Sequence, residues 1–120
     1  MESARSFRDL IVWQKAHRLV LCAYAYSGAF PRDETFGLRS QFRRSAVSVA
    51  ANIAEGFAKK TVPEKIRFMN IAQGSLEETR YYLVLAKDLG YGDNHELTLL
   101  ATEVSKLLNA FISSIYRNHH

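Results

Sequence analysis

Arg43-Arg44-Ser45-Ala46-Val47-Ser48-Val49-Ala50-Ala51-Asn52-Ile53-Ala54-Glu55-Gly56 decides how this chain folds, because the stretch is helical in pattern yet built almost wholly from small side chains. A helix of that kind admits a close neighbour. Paired arginines open it, and Lys59 and Lys60 follow its end, so a close-packing segment is bracketed by positive charge. The combination points to assembly and anion binding rather than to catalysis.

Outward from this segment, three more helices are read from periodicity and end signals. A first helix is predicted from Asp9, as N-cap, to Ser27, with Gly28 as its stop and Leu10, Trp13, Ala16, Val20 and Ala23 recurring at steps of three and four. Its apolar stripe is wide, since Ile11, Val12, Leu19, Leu21, Cys22, Tyr24 and Tyr26 add further greasy positions, as expected of a helix that touches its own core and another surface. The small-residue helix should start between Asp33 and Thr35 and run to Ala58, with Gly37 and Gly56 weakening its ends. Thr61-Val62-Pro63-Glu64 sets Thr at the N-cap and proline in the first turn of a third helix, which Gly90-Tyr91-Gly92 stops after Leu89. Asp93-Asn94-His95-Glu96 reads as a capping-box-like start for the last helix, whose Leu97, Leu100, Val104, Leu107, Leu108, Phe111 and Ile115 keep clean helical spacing.

No segment alternates like a strand and no Asn-Gly or Asp-Gly turn occurs. The fold class is therefore all-α: an antiparallel, up-down-up-down four-helix bundle with short loops, in one domain over residues 1–120. At 120 residues and 48% apolar side chains, the chain can bury a core without disulfides or metals. The single cysteine, Cys22, sits in an apolar run and implies a reducing compartment. No apolar run nears the roughly 20 residues that span a bilayer, so a cytoplasmic, non-membrane protein is expected. Asn118-His119-His120 supports no metal argument.

The net charge of +4 is unevenly spread: residues 1–60 hold ten Lys/Arg against five Asp/Glu, residues 61–120 six against seven. The basic half offers Arg39, Arg43, Arg44, Lys59 and Lys60, joined by Arg8, Lys15 and Arg18, as phosphate contacts. A structural reading stands beside this one. If the second and third helices fold back near residue 60, facing positions sum to about 121, which pairs Arg44 with Glu77 and Arg43 with Glu78. The last hairpin, turning at about residue 91 or 92, would set Arg80 opposite Glu103 and Lys87 opposite Glu96. Asn52 and Glu55, three apart among alanines, read as a polar network at a packed surface or as a ligand pair. Trp13 reads as a core or subunit anchor, and His17, one turn on, as a core or interface histidine. Enzyme signatures are lacking: there is no phosphate-cradling glycine loop, no Glu-x-x-His, no Cys-x-x-Cys and no Gly-x-Ser-x-Gly, so a non-enzyme with no cofactor is expected.

Phe7-Arg8-Asp9-Leu10-Ile11-Val12-Trp13-Gln14-Lys15-Ala16, Gly37-Leu38-Arg39-Ser40-Gln41-Phe42-Arg43-Arg44-Ser45 and Asn52-Ile53-Ala54-Glu55-Gly56 resemble the bacterial four-helix-bundle proteins encoded in intervening sequences of 23S ribosomal RNA genes. The likeness extends through Gly74-Ser75-Leu76-Glu77-Glu78, although the proline that often precedes the asparagine is missing here. A related branch comprises the accessory variability proteins of diversity-generating retroelements. The resemblance implies a homo-oligomeric ring, a pentamer, with a basic surface for RNA or DNA, and no established reaction. A scaffold for another protein is the alternative function.

Overall fold

The computed structural model describes residues 3–118; His119 and His120 lie outside them. The described residues form four long helices and two short 3-10 turns, with no strand. A turn at Phe7–Asp9 precedes α1 (Ile11–Ser27), and a second at Arg32–Glu34 precedes α2 (Leu38–Ala58). Then come α3 (Val62–Asp88) and α4 (His95–Arg117). Each helix packs on its neighbours in the chain and α4 closes on α1, the cyclic order of an up-down-up-down bundle. The body measures 49 × 24 × 20 Å, and its long axis is the helix direction. Leu19, Phe42, Val49, Ile53, Met69, Leu76, Leu83, Val104 and Leu108 fill the interior.

Helix starts depart from the expected positions for local reasons. Asp9 does not cap α1: its carboxylate accepts from Arg5 N at 2.8 Å and Ser6 N at 3.2 Å, closing a capping box around the first 3-10 turn. α1 instead begins after extended Leu10, which has no side-chain cap. Residues 32–34 form their own turn, and Gly37, at φ −107° and ψ −116°, separates it from α2. Thr61 caps α3 as expected, accepting from Glu64 N at 3.3 Å. That helix ends at Asp88, and Gly90 (φ +82°) and Gly92 (φ +123°) supply the left-handed backbone of the turn. Asn94 precedes α4 but does not cap it with its side chain. Its amide donates to Leu83 O at 2.8 Å and Tyr26 Oη at 3.1 Å, so this buried residue ties α4 to α3 and α1.

The small side chains of α2 serve a seam within the chain. Ser45 Oγ lies 2.8 Å from Thr79 Oγ1 and Ser48 Oγ 2.7 Å from Ser75 Oγ. Asn52 Nδ2 donates to Ser48 O at 2.8 Å and Ser48 Oγ at 3.0 Å, which satisfies its half-buried amide as a polar network. Gly56, in the last turn of α2, is buried because α3 passes directly over it. Glu55, by contrast, is exposed and does not join Asn52.

These contacts set facing positions of α2 and α3 to sums of 123 to 125, about a helical turn from the expected register. Midpoint arithmetic assumes a symmetric turn, whereas interdigitating side chains choose the register. The Arg44–Glu77 and Arg43–Glu78 pairs are consequently absent among the described residues, and Glu78 accepts from Tyr82 Oη at 2.9 Å instead. The α3–α4 register is close to that expected, as Gln73 Nε2 donates to Asn109 Oδ1 at 2.6 Å. Its predicted ion pairs nevertheless do not form. Arg80 turns to Glu77 on its own helix at 2.9 Å, Glu103 reaches Lys15 on α1 at 3.5 Å, and Lys87 and Glu96 do not meet.

Candidate nucleic-acid interface

The fold divides the five basic candidates between opposite ends of α2. Arg39, Arg43 and Arg44 lie near its start and Lys59 and Lys60 just past its finish, about 24 Å apart for the sixteen residues from Arg43 to Lys59. The groove at the arginine end does not include the lysines.

The arginine end is built by three segments. α1 runs out at Ser27 beside the second turn of α2, so Arg43 lies across the C-terminal carbonyls of α1. Its Nε donates to Ser27 Oγ at 2.8 Å and its Nη2 to Tyr24 O at 3.1 Å, and the guanidinium stacks 4.4 Å above the Tyr24 ring. A cation at the negative end of a helix dipole is favourably placed. One turn earlier, Arg39 Nη2 donates to Phe30 O at 2.7 Å, while its Nε is buried without an acceptor. Both guanidiniums are thus held by neutral oxygens, which fix their positions without a carboxylate to neutralise them. Arg44 is exposed and makes no hydrogen bond or ion pair among the described residues.

Together with Tyr24 and Phe36, these arginines line an open groove of about 520 Å³ whose walls contain no carboxylate. The nearby acid, Glu34, is turned away: Oε1 accepts from Leu38 N at 3.0 Å and Oε2 from Tyr91 Oη at 2.8 Å. The Leu38 amide and then the Tyr91 hydroxyl hold the Glu34 carboxyl below the usual glutamate range. The same bond raises Tyr91. A depressed carboxyl contributes stability that is full above its unfolded pKa and is lost as pH falls through the lower folded value. Tyr91→Phe is therefore expected to move the Glu34 midpoint upward in an NMR titration and to lessen the stability lost between neutral and acid pH, because the folded value moves closer to the unfolded one.

At the other end, Lys59 Nζ sits 5.0 Å over the Phe68 ring, whose environment also includes the Arg67 guanidinium at 4.7 Å. Lys65 donates to Phe57 O at 2.7 Å, and burial pulls its ammonium below the ordinary lysine value. Of the expected lysine pair Lys60 is exposed and Lys59 half-buried. Arg8, Lys15 and Arg18 belong to neither cluster. Arg8 lies 5.8 Å over Trp13, and Lys15 and Arg18 border a groove of about 760 Å³ between α1 and α4 that also contains Asp93, Glu96 and Glu103, a mixed-charge surface.

Trp13 is half-buried, with Phe7 edge-on at 4.8 Å and His17 stacked at 5.0 Å. It anchors the N-terminal turn to the flank of the bundle. His17 is exposed and stacked, so of the core and interface readings the core one fails. Phe36 is a residue of the groove that spacing does not single out. The available signal was an aromatic at a helix break, Thr35-Phe36-Gly37, immediately before an arginine-bearing helix. No group of three His, Cys, Asp or Glu among the described residues could hold a metal ion, and no helix among them is long and apolar enough to cross a membrane.

Comparison with known proteins is consistent with this architecture. A crystal structure of a protein of unknown function from the S23 ribosomal protein family of Bacteroides thetaiotaomicron superposes with a TM-score of 0.77 at 26% sequence identity, covering 85% of this chain and 98% of that one. No curated protein matches. The family model described as 23S rRNA-intervening sequence protein matches residues 8–111, spanning both the arginine groove and the α2–α3 seam. By that match over most of its length, the chain belongs to the 23S rRNA-intervening sequence protein family.

Proposed function

We propose that this protein is a non-catalytic, homo-oligomeric nucleic-acid-binding protein that holds the phosphate backbone at the arginine end of α2. The observation that carries this reading is the groove of Arg39, Arg43 and Arg44, in which two guanidiniums are pre-positioned by neutral acceptors and no acid lines the wall. Fixed cations bind phosphate without an ordering cost and without reading sequence. Lys60 and Lys59 add a weaker second patch. Assembly into a ring, the pentamer that the resemblance implied, would repeat the groove and multiply a weak site by effective concentration.

Exposed Ile11 and Leu21 on α1, Tyr81 and Val84 on α3 and Leu99 on α4 supply apolar surface for such assembly. The same surface supports the second reading, a scaffold for a protein partner. Half-buried, unpaired Cys22 suits a reducing, cytoplasmic setting.

Salt separates the two functions. Wild-type protein is expected to bind a structured RNA at about 50 mM salt with a steep inverse salt dependence, and Arg44→Glu to weaken binding and reduce the salt slope by about 1. Arg44 is a better probe than Lys59, whose ammonium packs on Phe68. Unchanged binding in Arg44→Glu, or none in wild type, would favour the scaffold. A monomer in light scattering at tens of micromolar would remove the ring.

A further inference from the structure

We infer that the arginine groove takes single-stranded nucleic acid, with an unpaired base stacked on Phe36 and the adjoining phosphate on Arg44 and Arg39. This rests on the nucleic-acid reading above and goes further by naming the strand state and the residue that selects it.

Phe36 is 94% exposed, an extreme value for a phenylalanine in a chain with a well-filled interior. The ring forgoes the favourable burial available to large apolar side chains. The backbone that carries it is nevertheless held. The turn that carries it is tied by Thr35 Oγ1 to Arg32 O at 2.7 Å, by Gly37 N to Glu34 O at 3.1 Å and by the Glu34 carboxylate to Leu38 N. A side chain at residue 37 would disturb this turn, because a Cβ there falls 2.7 Å from Glu34 Oε1. The result is a flat apolar ring on a rigid mount, beside three arginines in one acid-free groove.

A ligand for that groove must offer a planar π face and an anion within one residue-sized unit. Nucleotides have this composition, and in a single strand the base faces are available. A duplex buries those faces in its own stack and presents phosphates, sugars and base edges instead. Base stacking on an aromatic side chain tolerates any sequence. Tyr24, 44% exposed and with one face already covered by the Arg43 guanidinium, lies on the same wall.

The test compares wild type with Phe36→Ala, Phe36→Trp and Arg44→Glu in fluorescence anisotropy. The probes are a labelled single-stranded RNA of about twelve nucleotides and a blunt RNA duplex of the same length. Phe36→Ala is expected to weaken single-strand binding by about 5- to 100-fold without altering the salt slope, and to leave duplex binding within about twofold. Phe36→Trp should retain binding, and its added indole fluorescence should be quenched by the single strand and not by the duplex. Arg44→Glu should weaken both ligands. Equal loss of both ligands in Phe36→Ala, or no loss of either, overturns the stacking role while Arg44-dependent binding still upholds the broader reading. A change in light-scattering mass in Phe36→Ala overturns it in favour of a contact with a second copy of the chain. Absence of any wild-type binding overturns both.

Discussion

Phe42→Ala is expected to destabilise the protein by about 3 to 5 kcal/mol, the largest effect of any single truncation proposed. Phe42 is 1% exposed, and its ring lies 6.2 Å from both Phe30 and Tyr26. Phe30 in turn packs on Tyr91 at 5.2 Å. These four aromatics close the end of the bundle directly beneath the arginine groove, joining α1, α2 and the turns on both sides. Truncation removes the hydrophobic transfer energy and leaves a cavity that rings locked by three elements cannot collapse to fill. Phe42→Leu keeps much of the volume and should recover roughly half of the loss. Urea unfolding at fixed protein concentration provides the measurement: the midpoint should fall with the m-value unchanged. A shift below about 1 kcal/mol would show that the aromatic cluster is not a mechanical unit. Because Phe30 O accepts from Arg39, the truncation should also loosen that arginine.

Gly56→Val should be nearly as damaging, at about 3 kcal/mol, although valine has the better intrinsic helix propensity. A Cβ at residue 56 would lie 2.6 Å from Met69 Cε and 2.9 Å from Phe68 Cβ. The methionine methyl can swing aside, but the Phe68 Cβ is fixed to the backbone of α3. A branched side chain must therefore push the helices apart. Gly56→Ala sets a gain of up to about 1 kcal/mol in propensity against overpacking of about 1 to 3 kcal/mol, so a smaller net loss is expected. Met69→Ala should relieve part of the Gly56→Val penalty, appearing as a favourable coupling in a double-mutant cycle. Strict additivity of the two changes would contradict the packing.

The α2–α3 seam also shows why the ion pairs were misassigned. Apolar spacing identifies a helix and its inward face but contains no information on axial offset. Offset is decided where Gly56 admits Phe68 and Met69 and where Ser45 meets Thr79, contacts between residues 12 to 34 positions apart. Surface charges then pair with whatever is near, so Lys15 finds Glu103 across the bundle while Arg80 takes Glu77, its i,i+3 neighbour on α3. Exposed pairs contribute only about 0 to 1 kcal/mol and cannot dictate register.

Local chemistry by itself determined the all-helical class, the helix count, the Thr61 cap, the glycine-rich stop at residues 90–92 and the basic character of the first half. Each depends on a few consecutive residues: their propensity, their periodicity and their capping hydrogen bonds. Tertiary structure alone decided that Arg39 and Arg43 hold neutral oxygens rather than carboxylates, and that the Asn94 amide holds Leu83 and Tyr26 instead of capping α4. It also decided that Phe36 remains uncovered beside the arginines while Gly56, read as a helix weakener, admits α3. The physical reason is common to all four. A side chain's partner is set by the packing of distant segments, and the shape of α2 against α3, with α1 ending beside Arg43, exists only once the bundle has closed.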